Sequence, residues 1–314
     1  MAAGAVVWFV HDRGASNPTR ITSPPGTSTT LGVSSGGAVP YEMISSGHLH
    51  SLILAGLSPG IADYFFNTPN TLLNMGANGK TLTSVQVARV HQAYPLASIG
   101  YLLNSVGPNT LTGAPGIHGL LSGGPLPGGL SYIQYDPEGP GNGTPAAETA
   151  ALEAGNTSYV KQAAAALAQA HGLKFVFTPS VDAGMTSREG AYPTKYATWL
   201  AQDRGAWAAI PGVSVYSIQS QQAEGTPTFA TFVPAALAQA HAAAPKTPVD
   251  IGIGINPSNP PTVITAADIM NSYLLGQSDG AAGYWYNVEI GVGANVPTSV
   301  YVTFFQQLYT QLHG

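Results

Sequence analysis

Apolar and polar positions along the chain repeat with two periods. Short apolar runs with β-branched and aromatic content predict eight strands, at residues 6–11, 51–56, 97–104, 131–138, 174–180, 214–221, 249–256 and 281–289. Helical spacing predicts helices over residues 83–94, 157–171, 194–209, 229–244, 265–275 and 298–313. Val85, Val87, Val90 and Tyr94 fall roughly on one face of the first of these, and Pro95 ends it. The Ala-rich second helix stops at Gly172. Segments 12–47 and 105–130 are rich in Gly, Pro and Ser and predict long loops with at most short helices.

Strand–helix alternation implies parallel strands, because each crossover needs a helix-sized connection. Eight such units, ending in a helix, predict an α/β fold: a single (β/α)8 TIM barrel spanning residues 1–314 as one domain. The competitor is a doubly wound open sheet. It would need a Gly-rich phosphate turn after the first strand, and Asp12-Arg13-Gly14-Ala15-Ser16 is not one.

In such a barrel, chemistry sits at the C-terminal strand ends. Period two along the fourth strand puts Tyr132, Gln134, Asp136 and Glu138 in one phase and Ile133, Tyr135 and Pro137 in the other. The second phase can pack on helices, so the polar phase faces the pore. The same reading turns Trp285, Asn287 and Glu289 inward on the eighth strand, and Gly252, Gly254 and Asn256 on the seventh. Ser217, Gln219 and Gln221 share the inward phase of the sixth, with Thr178 and Ser180 on the fifth. Tyr101 on the third strand, Asp182 two residues past the fifth, and Asp12 beside His11 at the end of the first complete the candidate binding residues.

Composition narrows what this mouth could serve. Charged residues are only 8% of the chain and the net charge is −5, with no basic stripe for nucleic acid. The absence of cysteine excludes disulfides, thiolate metal sites and thiol catalysis. No apolar run reaches the roughly 18 residues of a spanning helix. Low charge with abundant Ser, Thr, Asn, Gln and Gly suits an exported, secreted protein, expected to be a monomer. A mouth of carboxylates, amides, hydroxyls and an indole, with almost no cations, suits a neutral carbohydrate rather than a phosphorylated ligand.

Glycoside hydrolysis needs a protonated acid and a second carboxylate or substrate group. Glu138 is the expected acid, Asp136 its partner two residues earlier, and Glu289 a second candidate. The fourth strand resembles the Asp-x-x-Asp-x-Asp-x-Glu strand of family 18 chitinase-like barrels, with Ser131, Gln134, Asp136 and Glu138 at the matching positions. Two of the four acidic positions are thus retained. The resemblance implies that Glu138 is the acid and that Asp136 orients a substrate N-acetyl group. The eighth strand, Gly280-Ala281-Ala282-Gly283-Tyr284-Trp285, is similar to that family's Gly-rich strand, which makes Trp285 the floor of a sugar subsite. The sixth strand departs from the pattern, with Tyr216-Ser217 where that family has Tyr-Asp.

His48-Leu49-His50 has the look of a metal pair. The strand assignment puts it before the second strand, at the barrel's bottom, and strands five and six carry no histidine. No metal and no cofactor are therefore expected. No Gly-x-Ser-x-Gly elbow supports a serine hydrolase. The leading expectation is a metal-independent glycoside hydrolase acting on a neutral or N-acetylated saccharide. Its rivals are a non-catalytic carbohydrate-binding barrel and a barrel lyase or isomerase on a small apolar substrate, the last expected to show a closed, mostly apolar pocket in place of an open groove.

Overall fold

The computed structural model describes residues 40–76, 82–113, 116–122, 126–181, 192–257, 262–288 and 296–313. Eight strands pair in chain order, each parallel to its neighbours, and close into a barrel. They are β1 (Tyr41–Ser45), β2 (Thr71–Gly76), β3 (Ser98–Leu103), β4 (Tyr132–Tyr135), β5 (Lys174–Phe177), β6 (Val213–Ile218), β7 (Val249–Ile253) and β8 (Gly283–Tyr286). The helices are α1 (Ser46–Leu54), α2 (Pro59–Phe66), α3 (Ser84–Ala93), α4 (Gly116–Ser122), α5 (Ala146–Glu153), α6 (Ser158–His171), α7 (Tyr192–Ala201), α8 (Pro227–Ala243), α9 (Ala266–Ser278) and α10 (Thr298–His313). None of those described is long and apolar enough to cross a membrane.

Strand parity separates two cores. Met43, Leu72, Tyr132, Val176, Val215 and Trp285 fill the barrel, with Tyr41 packed on them. The opposite phase, including Ile44, Leu73, Ile133, Phe177, Tyr216 and Ile251, packs on the helices in one continuous layer. β3 and β7 offer Gly100 and Gly252 to the interior instead of side chains. A methyl group on Gly100 would lie 2.2 Å from the Tyr132 ring, and one on Gly252 equally close to Gln221 Oε1. Tyr132 is fully buried, so its ring has nowhere to move. Gly100→Ala is expected to cost about 1–3 kcal/mol by overpacking, read as a lower denaturant midpoint. An unchanged midpoint would mean that the interior has slack.

Local signals set several helix ends. Thr83 and Gln86 form a capping box at the start of α3, and Thr265 and Asp268 do the same for α9. Gly172 ends α6 in the left-handed conformation, at φ 63°. The helix expected over 194–209 is broken. α7 stops at Ala201, Asp203 turns left-handed at φ 49°, and a 3-10 turn covers Arg204–Ala209.

The predicted fold class holds, but its first two strands are reassigned. The eight barrel strands lie at or beyond Tyr41, and segment 6–11 falls outside the described residues. Residues 51–54 are helical within α1, followed by a turn. Their apolar run is too short to tell a strand from a buried helix. The buried pair Leu49 and Leu52 is spaced by three, whereas Leu54 is 75% exposed. β1 lies inside segment 12–47, read as loop, because Glu42 interrupts its apolar phase. β2 carries one β-branched residue, Thr71.

Reassignment also moves the histidine pair. His48 and His50 lie in α1, which begins directly after β1, so they stand near the barrel's C-terminal end rather than its bottom. Burial lowers the His48 pKa to about 4, while His50 is exposed. Among the described residues no three His, Asp or Glu side chains come together to hold a metal ion.

Candidate functional site

Tyr135, the last residue of β4, pairs with Leu103 on one side and Phe177 on the other, and the ladder runs on one step. Asp136 N–H donates to Leu103 O at 2.9 Å, and Thr178 N–H to Tyr135 O at 2.9 Å. This extension fixes the direction of the next side chain. Tyr135 points to the helices, stacked on Phe177 with ring centroids 5.6 Å apart, so Asp136 points into the barrel. It is 2% exposed.

Two side chains hold it there. Gln219 Nε2 donates to Asp136 Oδ1 at 2.6 Å and to the Thr178 carbonyl at 2.8 Å. Glu138 hydrogen-bonds Asp136 from two residues on. Burial drives the Asp136 pKa well above the carboxylate range, the Glu138 charge adds to the rise, and the Gln219 hydrogen bond opposes it. Asp136 therefore holds its proton more tightly than an ordinary carboxyl group, beside a second one. Two such groups in contact cannot both ionise cheaply, so the pair titrates as a unit.

Glu138 is set by the turn that follows. Its N–H donates to Thr144 Oγ1 at 3.1 Å, and that hydroxyl donates to the Asn104 carbonyl at 2.8 Å. The Asn142 side-chain amide donates to Glu138 Oε2. Gly139, at φ 87°, admits the sharp reversal that brings Asn142 back.

Amides and hydroxyls complete the surroundings. Gln221 Nε2 donates to Gln219 Oε1 at 2.9 Å, and Gln134 Nε2 to Thr178 Oγ1 at 3.2 Å. Each amide keeps its carbonyl oxygen buried and unpartnered, as is Ser180 Oγ. Buried acceptors without donors are costly. Their occurrence beside the Asp136–Glu138 pair makes this end of the barrel the candidate ligand site.

The structure thus brings together Asp136, Glu138, Gln134, Gln219 and Gln221. It removes others from the site. Tyr101 pairs with Ile133 in the helix-facing phase and joins the outer core, because Gly100 is the β3 residue that faces inward. Asn256 Oδ1 is committed to Ile264 N–H at 2.8 Å, bracing a loop. Trp285, 7% exposed, is interior packing against Met43, Leu72 and Tyr132 rather than an open sugar platform. Asn287 follows β8, with its N–H bonded to Ile253 O at 2.9 Å. Glu289, Asp182 and Asp12 lie outside the described residues.

Four buried acids escaped the sequence reading. Glu148 accepts from Val106 N–H at 2.9 Å, Gly107 N–H at 2.7 Å and the Tyr135 hydroxyl at 2.9 Å, pinning the chain after β3. Glu224 accepts from Gly254 N–H at 2.5 Å and Ile255 N–H at 3.3 Å behind β7, and burial raises its pKa to about 8. Burial also raises Glu42 and Asp250 well above the carboxylate range. Asp250 alone had a signal: it shares the inward phase of Gly252 and Gly254, one step nearer the start of β7.

No protein-family model and no curated protein matches the chain. Solved structures resemble it in shape. The carboxyl transferase domain of Rhizobium etli pyruvate carboxylase with pyruvate has 9% identity, covering 88% of this chain and 47% of that one, at a TM-score of 0.45. The complete Rhizobium etli pyruvate carboxylase has 10% identity, covering 88% and 27%, at 0.47. The aldolase QR15 has 7% identity, covering 88% and 96%, at 0.46. The chain therefore spans under half the length of the carboxyl transferase domain that it resembles. These findings correct the expectation of a family 18 chitinase-like glycoside hydrolase on a carbohydrate substrate: the similar barrels named are carboxyl transferase and aldolase structures, not glycosidases. What the chain shares with them is the architecture already seen in its strand order, a parallel (β/α)8 barrel.

Proposed function

We propose that this barrel is an acid–base enzyme, a lyase or isomerase, acting on a small uncharged compound that bears a carbonyl and a hydroxyl group. The observation that carries the reading is the Asp136–Glu138 pair, a buried acid bonded to a second carboxyl group just past the end of β4, with burial favouring its protonated form. Gln134, Gln219, Gln221, Thr178 and Ser180 around it are neutral, which favours an uncharged ligand. The free carbonyl oxygens of Gln134 and Gln221 suit its hydroxyl donors. Asp136 and Gln134 are almost fully buried, which suits a small compound over a polymer lying in a groove.

The chemistry balances within the pair. Glu138, as the carboxylate, takes a proton from the carbon beside the carbonyl. In an isomerisation Asp136 gives its proton to the carbonyl oxygen, and the enediol so formed returns its other hydroxyl proton to Asp136 while Glu138 delivers its proton to the former carbonyl carbon. In a dehydration Asp136 gives its proton to the departing β-hydroxyl, which leaves as water. Glu138 then holds the substrate's proton and Asp136 is ionised. The hydrogen bond between them returns the proton and restores the starting state.

The test is proton exchange. Wild-type protein is incubated in D2O with a panel of small hydroxy ketones and hydroxy aldehydes, and NMR follows loss of the C–H signal beside the carbonyl. At least one compound is expected to exchange or dehydrate, and Glu138→Gln to be at least 100-fold slower. Exchange at the wild-type rate in that variant, or release of reducing ends from polysaccharides with no exchange in the panel, would overturn the reading.

A further inference from the structure

Asp250 lies inside the barrel, completely buried, and neither carboxyl oxygen has a partner. Its neighbours across the ladder are Ser217 on β6 and Gly283 on β8. The β8 side is closed: a methyl group at Gly283 would meet the Tyr41 carbonyl oxygen at 2.0 Å. The β6 side is polar, and there Ser217 Oγ is also buried and unpartnered.

The same ladder row leads upward. Tyr216 pairs with Phe177, and Phe177 with Tyr135. One residue further on each strand sets Thr178 beside Ser217 and Asp136 beside Thr178. Inward neighbours in a row stand about 5 Å apart, and strand tilt makes the row climb the barrel wall. Asp250, Ser217, Thr178 and Asp136 thus form one polar line along the barrel wall. Gln219, two residues above Ser217, bridges its upper end by bonding both Thr178 O and Asp136 Oδ1.

We infer that Asp250 is a second proton-holding group of this site, joined to Asp136 by internal water bound along Ser217 and Thr178. The inference rests on the acid–base reading above. Unpartnered buried oxygens of this kind are satisfied by buried water with two to four polar contacts. In the transfer, the O–H bond at Asp250 breaks, one forms at Asp136, and the electron pairs stay on oxygen. The proton travels back when Glu138 reloads Asp136, so no outside reactant is needed. Asp250 touches no substrate and acts through Asp136, as a positioning group for its proton. The other titratable groups whose charge reaches it are Glu42 and Tyr284. Burial raises the Asp250 pKa well above the carboxylate range, the direction the role requires.

Infrared spectroscopy of the 314-residue chain tests this without substrate, so its outcome is independent of whether the proposed reaction is found. Protonated carboxyl groups give C=O bands that shift on exchange into D2O. Asp250→Asn should remove one band and Asp136→Asn another. In wild type the Asp250 band should shift within the mixing time. Ser217→Val, which replaces the hydroxyl with methyl groups, should slow that shift at least tenfold and leave the Asp136 band fast. Should Asp250→Asn fail to fold, the slow band in Ser217→Val identifies the residue. A folded Asp250→Asn protein that loses no band, or an Asp250 band equally fast in Ser217→Val, would overturn the inference.

Discussion

Asp136→Asn is expected to lower turnover on any substrate found in the exchange screen by about 10²–10⁴-fold. At pH 4, where the unfolded chain also keeps much of this carboxyl protonated, its stability should stay within about 1 kcal/mol of wild type, as for a substitution that creates no cavity and no orphaned group. The two halves have one cause. Burial beside Glu138 favours the protonated form of Asp136, and a protonated carboxyl has nearly the shape and bonding pattern of a primary amide. Asparagine can accept from Gln219 with its carbonyl oxygen and donate to Glu138 with its amide. It has no proton to give. Glu138→Gln should match the loss of turnover, and the double variant should be little worse than either single one, because residues acting as a unit are not additive. Turnover and urea midpoints of the three variants check this. Wild-type turnover in Asp136→Asn would reduce the pair to a structural contact.

The second large effect is on stability against pH. Glu224 has a pKa of about 8 in the folded chain and an ordinary value of 4.5. Below 4.5 both states are protonated and burial costs nothing through ionisation. Between 4.5 and 8 the unfolded chain releases a proton that the folded chain keeps, so stability falls by about 1.4 kcal/mol per pH unit. By pH 8 Glu224 alone removes on the order of 4 kcal/mol. Asp136, Glu42 and Asp250 are raised in the same direction and steepen the loss. Urea unfolding at pH 5, 6, 7 and 8 should therefore give a steadily falling stability. Glu224→Gln should flatten the fall and raise stability at pH 8, because the amide oxygen can still accept from Gly254 and Ile255 N–H. A flat or rising profile in wild type would mean that water or neighbouring dipoles solvate these acids.

Much of the second half of the barrel was legible in the residues. β3 to β8 overlap their predicted segments, and the closing helix, residues 298–313, matches α10. There, strands have clean period-two alternation and helices end at Gly or Pro. The first two strands were not legible. Tyr41–Ser45 carries Glu42 on its helix-facing side, and Ser-Leu-Ile-Leu at 51–54 reads equally well as strand or helix. Only closure of the ring, which demands a strand between β8 and β2, decides for Tyr41–Ser45.

The site divides along the same line. Alternation along one strand determined that Asp136 and Gln134 share the pore phase, since successive side chains must leave opposite faces of a pleated backbone. Sequence also determined the fold class, through strand–helix alternation, and the neutral polar character of the barrel mouth. Tertiary structure alone decided what those groups became. Gln219 lies 83 positions from Asp136, yet bonds it at 2.6 Å. Trp285 became interior packing because Gly100 and Gly252 leave Tyr132, Trp285 and their neighbours to fill the ring. The charge states of Asp136, Glu224, Glu42 and Asp250 followed from burial. Desolvation depends on what the whole fold wraps around a carboxyl group, and no local pattern of residues carries that quantity.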